Sequence, residues 1–348
     1  MSWLAHFLQP WFEADVATTP EARVELEIDA GAYRAARRPA QRVSGDVVGC
    51  FLLDTRVVRH PIIRRELEWL WIDDRELGVV YAVDGRAAVR IIAPADGSGT
   101  RVALMRVVRE LAMLDARAAG APVLHAAVVA RGRRAIAICG PKRSGKTSLL
   151  IHALREPSFR FVANDRAVVE HHGARATARG MPTIVALRAD TIERFAHLAV
   201  LRDAPDRHWL TPSEAAEEGG RPWRRPDLAI DLTPARFCEL AGAEPQADAT
   251  LSAIIFPRVE PAAAGIGLER LTARDALDRL RGSFVGAALG GPQANAFAWH
   301  RTRSTRAARA VELETLRRLS ELPCLSASMG RDASACTGLP DELLRLLD

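Results

Sequence analysis

Eight consecutive residues, 140–147, carry the pattern most directly tied to a known chemistry. They read Gly-Pro-Lys-Arg-Ser-Gly-Lys-Thr and match the phosphate-binding pattern G-x-x-x-x-G-K-[ST] at every fixed position. In such a loop the glycines let the backbone turn until successive N–H groups point at phosphate oxygens. Lys146 then reaches the β- and γ-phosphates, and the Thr147 hydroxyl binds Mg²⁺. The segment predicts binding of a nucleoside triphosphate, most directly ATP with Mg²⁺, by Gly140, Pro141, Lys142, Arg143, Ser144, Gly145, Lys146, Thr147 and Ser148.

The sequence around this motif favours the same interpretation. Residues 135–139 are apolar (Ala-Ile-Ala-Ile-Cys) and predict a strand that runs into the loop. Leu149, Leu150 and Ala153 predict a helix directly after it. The motif requires this strand–loop–helix context, because the amino terminus of the helix adds its positive dipole end to the anion site. The alternative, a glycine-rich surface turn, is disfavoured by that context.

A second polar cluster follows the predicted helix. Residues 159–163 predict a strand that ends at Asn164 and Asp165. Phosphoryl transfer needs a carboxylate for the metal, and the end of an apolar strand is a typical place for one. An Asn-Asp turn without a role in chemistry gives the same pattern. These residues alone leave both interpretations open.

The order of three motifs resembles a known family. Leu124-His125-Ala126 comes first, then the 140–147 loop, then Val-Ala-Asn-Asp at 162–165. HPr kinase/phosphorylase has L-H-G, a phosphate-binding loop and A-D-D at similar spacing. The chain is more similar still to the HPr-kinase-like proteins of bacterial natural-product clusters, including the lasso-peptide kinases. The resemblance covers about residues 100–280 and is sharpest over 122–190.

The resemblance implies a phosphoenolpyruvate-carboxykinase-like core that transfers the γ-phosphoryl group of ATP to a hydroxyl. Lys146 and Thr147 would hold the nucleotide and Mg²⁺, and Asp165, matching the second acid of A-D-D, would contact the metal. His125 matches the active-site histidine of the family; alternatively, it is an ordinary strand histidine. Asn164 replaces the aspartate that the family uses as a base, and asparagine cannot accept a proton. Asp165 or His125 then acts as the base, positioning alone suffices, or the protein only binds or hydrolyses nucleotide.

Two arginines are further candidates for the same site. Arg179 begins the run Arg-Gly-Met-Pro-Thr, where the family has a glycine-containing loop that lines its active site. Arg179 or Arg188 could neutralise charge on the transferring phosphoryl group. The alternative is a turn that enters a strand, with Arg188 solvated at the strand end.

Hydrophobic periodicity predicts an α/β protein with a smaller β-rich domain at its amino-terminal end, and the resemblance implies that the core after it is a phosphate-loop core of HPr-kinase type. Residues 1–100 predict mainly strands, and 101–285 form the predicted nucleotide-binding domain, which opens with a helix at 102–119. Within it, 203–227 is rich in proline and glycine and predicts a flexible loop. Residues 286–348 predict a helical segment, with one helix at 307–320.

Composition and charge limit the kinds of partner that the protein is expected to bind. The 48 basic and 43 acidic residues give a net charge of +5, spread along the chain without a dense basic run, so nucleic acid is disfavoured as a partner. The five cysteines have no disulfide or zinc spacing. No signal peptide and no apolar run of about 20 residues is present, which predicts a cytoplasmic protein without a membrane partner.

These observations rank three functions. First is an ATP- and Mg²⁺-dependent kinase that acts on a hydroxyl of a peptide, protein or small metabolite. Second is a nucleotide-binding or ATP-hydrolysing accessory module without kinase activity. Third is an ATPase linked to nucleic acid. The resemblance also implies a homo-oligomer, as in HPr kinases.

Overall fold

A computed structural model describes most of the chain, which combines mixed β-sheets with α-helices as in an α/β protein. The α/β class predicted from the sequence is thereby confirmed. The predicted flexible loop at 203–227 lies outside the described residues except for its first residue, Asp203. The described residues are 2–13, 22–38, 46–53, 56–66, 68–84, 88–173, 175–203, 229–260, 263, 265–285, 296–298, 305–330 and 338–347.

The first sheet has six strands in the order β1-β6-β5-β4-β3-β2. Its β1–β6 pair is parallel, and the other described pairs are antiparallel. The elements of this part of the chain are α1 (Ser2–Leu8), β1 (Arg23–Ile28), α2 (Ala30–Ala36), β2 (Val47–Leu53), β3 (Arg56–Arg65), β4 (Trp69–Asp74), β5 (Val79–Asp84), β6 (Ala88–Ala93) and α3 (Ser98–Ala118).

Helix α3 packs against this first sheet. Leu104, Val107 and Leu111 recur at helical spacing and share a core with Ile72 and Tyr81 of the sheet. The predicted boundary at residue 100 therefore separates the sheet from the helix that covers it. Periodicity showed that the helix has an apolar face, but it could not show which sheet that face covers.

The second sheet has nine strands, with a path β10-β8-β9-β15-β12-β11-β7; β17 pairs with β15 off this path, and β16 pairs with β17. Two shorter strands, β13 and β14, pair separately. The elements are β7 (Val123–Leu124), β8 (Ala126–Arg131), β9 (Arg134–Cys139), α4 (Lys146–Leu154), β10 (Arg160–Ala163), β11 (Arg166–His172), β12 (Arg175–Met181), β13 (Val185–Arg188), α5 (Ala189–Arg194), β14 (Ala229–Leu232), α6 (Pro234–Ala241), β15 (Asp248–Val259), β16 (Ile266–Arg270), α7 (Ala273–Gly282), α8 (Thr305–Ser320), β17 (Cys324–Met329) and α9 (Leu339–Leu347).

The prediction of a helical segment over 286–348 needs a correction. Helix α8 confirms the helix predicted at 307–320, but β17 follows it and pairs in parallel with β15. This strand was not predicted because its sequence, Cys-Leu-Ser-Ala-Ser-Met, is short and only weakly apolar. Helix α9 then packs Leu343 into the core that also holds Leu150 of α4. The carboxyl-terminal part of the chain thus completes the second sheet.

The amino-terminal residues also reach the second sheet. Trp11 is buried, meets the Phe161 ring edge-on, and donates its indole N–H to the Val162 carbonyl at 2.6 Å. Trp11 therefore packs on the second sheet, whereas strands β1–β6 form the first. Among the described helices, none is long and apolar enough to cross a membrane.

Candidate functional site

The 140–147 loop connects β9 to α4, as the motif predicted. Gly140 and Gly145 have positive φ values of 151° and 102°, and Arg143 lies in the left-handed region at 69°. A Cβ atom on Gly145 would come within 2.6 Å of the terminal methyl of Met329, which can move aside, so the positive φ is the main reason that a larger residue is strained there. The glycine spacing thus has a local steric reason.

The loop closes around the side chain of Lys146. Lys146 Nζ donates to the Gly140 carbonyl at 2.7 Å and to the Pro141 carbonyl at 3.0 Å, and the residue is 8% exposed. Ser144 Oγ is buried beside it and has no hydrogen-bond partner among the described residues. A buried ammonium, a buried hydroxyl and the amino terminus of α4 meet in one loop, an arrangement suited to an anion.

His125 and Asp165 lie at the same end of the sheet as the loop. Strands β8 and β9 are antiparallel and pair Ala126 with Cys139, so His125 and Gly140 are the next residues on each side. Strand β10 lies on the other side of β8 and ends two residues before Asp165. His125 Nε2 and Asp165 Oδ1 are 3.0 Å apart. Sheet topology therefore brings together two residues that the sequence placed on opposite sides of the loop.

Two buried arginines surround Asp165. Arg166 Nε lies 3.3 Å from Asp165 Oδ2, and Arg166 is 2% exposed. Burial raises the pKa of Asp165, but the hydrogen bond from His125 and the charges of Arg166 and Arg109 outweigh that effect, so the pKa lies well below its ordinary value. The carboxylate is therefore ionised at neutral pH.

Arg109 comes from α3, the helix of the first sheet. Burial and the nearby charge of Arg166 lower its pKa to about 9, while Glu110 acts in the opposite direction. Its Nε has no hydrogen-bond partner among the described residues, although the side chain is buried. Burial of this charged guanidinium costs desolvation energy, and packing of the side chain alone does not explain why that cost is tolerated.

The side-chain amide of Asn164 is held by hydrogen bonds to another segment of the chain. Its Nδ2 donates to the Ile184 carbonyl at 3.1 Å, and its Oδ1 accepts from Thr183 Oγ1 at 2.8 Å. Both polar atoms of the amide therefore anchor the segment that enters β13. This geometry needs one donor and one acceptor on the same side chain, which asparagine supplies and aspartate does not.

The two candidate arginines lie elsewhere. Arg179 is within β12 rather than in a loop, half-exposed, and its nearest acidic group is Asp248 at 4.0 Å. Arg188 ends β13 and lies 3.5 Å from Asp190. Neither has a described contact with His125 or Asp165. The expected glycine-containing loop at 179–183 is in part a strand, because residues 175–181 pair with both β11 and β15.

Sequence reasoning missed three charged residues near the loop. Arg109 and Arg166 surround Asp165, and no motif marks either of them. Glu260 follows β15, which runs parallel to β9 and ends beside the loop. Its side chain forms an ion pair with Arg258. An acidic residue directly after a long apolar strand was the available signal for Glu260.

The oxygen ligands for a metal are few. Among the described residues, no group of three or more His, Cys, Asp or Glu side chains could hold a metal ion. The partly exposed Thr147 hydroxyl and the Asp165 carboxylate supply the kind of hard oxygen ligand that Mg²⁺ prefers.

Comparison with known proteins assigns no family to this chain. No protein-family model matches it, and its sequence has no match among curated proteins.

Proposed function

We propose that this chain is an ATP- and Mg²⁺-dependent kinase of HPr-kinase type that phosphorylates a hydroxyl. The observation that carries the proposal is the position of the His125–Asp165 pair directly beside a loop that closes on Lys146. A triphosphate-binding loop alone is common to motors, switches and kinases. A carboxylate kept ionised and bonded to a histidine beside such a loop is more typical of transfer to an acceptor.

The side chains divide the work. The N–H groups of the 140–147 loop and Lys146 bind the phosphates, and Thr147 and Asp165 hold Mg²⁺. The bound metal supplies charge neutralisation for the transferring group. His125, held by Asp165 at 3.0 Å, is the group beside the loop that would accept the proton of the acceptor hydroxyl. Asn164, whose amide donates one hydrogen bond to Ile184 and accepts one from Thr183, shapes the site without taking a proton.

A second function has support from Asn164 itself. The aspartate expected at this position is missing, and the amide is used to anchor Thr183 and Ile184. A nucleotide-binding or ATP-hydrolysing accessory module would retain the loop and not require that base. Both functions share the nucleotide site and differ in the destination of the γ-phosphoryl group.

The fate of that group separates the two functions. The protein is incubated with ATP labelled at the γ-phosphate and with cell extract fractions. A kinase transfers label to an acceptor, and Lys146→Ala abolishes the transfer. Lys142→Ala serves as the control, because Lys142 and Lys146 are the only two lysines of the chain and lie in the same loop. Label recovered only as inorganic phosphate, or only as unchanged ATP, contradicts the kinase and supports the accessory module.

A further inference from the structure

An open groove of about 840 Å³ crosses the outer face of three strands of the second sheet. Its volume falls within the range typical of ligand sites, roughly 300–1,000 Å³. Strands β9, β15 and β12 supply most of its walls. The polar residues that line it include Arg133, Arg134, Arg175, Thr177, Thr250 and Ser252.

Strand register explains why polar side chains gather on this face. Thr250 pairs with Arg134 on one side and with Thr177 on the other, and residues paired across strands share a face. The alternate residues, Leu251 and Ala178 among them, are buried on the opposite face. The groove is therefore mainly a polar surface of strands, to which Arg133 and Gln246 are added from the turns at one end.

The groove has an excess of positive charge. Three of its lining residues are arginines, whereas Asp248 is the one acidic residue among those described as lining it. Asp248 already lies 4.0 Å from a fourth arginine, Arg179. Glu170 is the nearest further acid in the sheet, opposite Thr177 on β11.

This groove is separate from the nucleotide site. It includes Arg134 at the first residue of β9, whereas the 140–147 loop follows the last residue of that strand. Six residues of strand span roughly 20 Å at about 3.3 Å per residue. A ligand in the groove cannot be the triphosphate of the loop, so the inference does not rest on the proposed kinase activity.

We propose that the groove binds an acidic segment of a partner polypeptide. Guanidinium groups bind carboxylates through paired N–H donors, and the hydroxyls of Thr177, Thr250 and Ser252 can bond a peptide backbone. None of the described lining residues is aromatic, so the groove lacks the stacking platform that single-stranded nucleic acid uses. Recognition of carboxylates requires the guanidinium and hydroxyl groups that line the groove, and it requires no aromatic side chain.

Fluorescence anisotropy with a labelled glutamate-rich peptide tests this proposal. The full-length protein is compared with a triple variant, Arg133→Gln, Arg134→Gln and Arg175→Gln. The control carries Arg236→Gln, Arg281→Gln and Arg345→Gln, three exposed arginines on α6, α7 and α9. We expect the triple variant to bind the peptide at least about tenfold more weakly, the control to match the wild type, and added salt to weaken binding.

Equal affinity of the triple variant and the control overturns the proposal, as does an absence of binding by the wild type. Tighter binding of a single- or double-stranded oligonucleotide than of the peptide assigns the groove to nucleic acid and also overturns it. If the triple variant fails to fold, the wild type is crosslinked to a photoreactive glutamate-rich peptide. Crosslinks at strands β9 and β12 beside the groove support the proposal, and crosslinks confined to other surfaces contradict it.

Discussion

The side chain of Asn164 has a structural role in the fold, although the resemblance to a kinase family predicts a base at its position. In the HPr kinase family, which the sequence resembles, an aspartate that acts as a base is expected at this position. In the structure, the Asn164 amide holds Thr183 through its oxygen and Ile184 through its nitrogen. We infer that the segment 182–184 and Asn164 form one unit, and that aspartate cannot be restored at this position alone.

The variant Asn164→Asp tests that view. It places a carboxylate oxygen against the Ile184 carbonyl, so we expect the free energy of unfolding to fall by about 1–3 kcal/mol. Denaturant unfolding measures the change, with Thr183→Ser, which keeps the hydroxyl, as the control. Stability within about 0.5 kcal/mol of the wild type would mean that the anchor is not a constraint.

The lowered pKa of Asp165 predicts how the stability of the protein depends on pH. Its folded-state pKa lies below the ordinary value of 3.8, because His125, Arg166 and Arg109 outweigh burial. A carboxyl with a depressed pKa stabilises the fold above its unfolded pKa, and that contribution disappears as the pH falls below about 4. We expect acid to destabilise the wild type more than Asp165→Asn over this range. Asp341→Asn, an exposed acid on α9, is the control; an identical acid response of wild type and Asp165→Asn contradicts the depressed pKa.

At the scale of elements, β10 and β12 approach closely where Trp11 packs. Gly180 of β12 donates its N–H to the Ala247 carbonyl at 2.9 Å, and its Cα faces the Val162 carbonyl and the Trp11 indole. A Cβ on Gly180 would overlap both groups. This contact joins the amino-terminal residues to the strand that leads to Asn164.

Gly180→Ala is therefore expected to destabilise the protein by at least about 2 kcal/mol, because backbone atoms must move to admit the methyl group. Gly282→Ala is the matched control, since nothing lies within 4 Å of the corresponding Cβ. Thermal unfolding of both variants measures the difference. Equal melting temperatures for the two variants would show that the strands do not meet as described.

The elements around the loop were predictable because their signals are local. Residues 135–139 and Leu149 specify strand and helix on either side of the loop within a short stretch of sequence. Strand β17 was not predictable, because it is stabilised by pairing with β15 and by burial of its Met329 in the core, and neither interaction shows in its local sequence pattern. The approach of Arg109 to Asp165 likewise depends on packing between distant parts of the chain.

At the scale of the whole molecule, α3 links the two sheets. Its apolar face covers the first sheet, while Arg109 reaches toward Asp165 of the second. The guanidinium is desolvated, and its Nε is without a partner among the described residues. We infer that this charge is kept for the site and not for stability.

Arg109→Met separates the two roles. Removing a buried charge whose pKa is lowered to about 9 relieves desolvation, so we expect the free energy of unfolding to rise by about 1 kcal/mol or more. Phosphoryl transfer should fall in the same variant, because positive charge near the site is lost. Urea unfolding and the labelled-ATP assay give the two readings. Loss of stability together with unchanged transfer would assign Arg109 to the fold instead.

The central claim, that the 140–147 loop binds a triphosphate through Lys146, has one direct test. Isothermal titration of ATP with Mg²⁺ into the wild type, Lys146→Ala and Lys142→Ala compares the only two lysines of the chain within one loop. Lys146 is buried in the loop and Lys142 is exposed. We expect Lys146→Ala to weaken ATP binding by at least about tenfold. Lys142→Ala should bind like the wild type, because alanine keeps the backbone N–H that the loop contributes at this position and only an exposed side chain is lost. Equal ATP affinity of Lys146→Ala and wild type, or no ATP binding by the wild type, would contradict the claim.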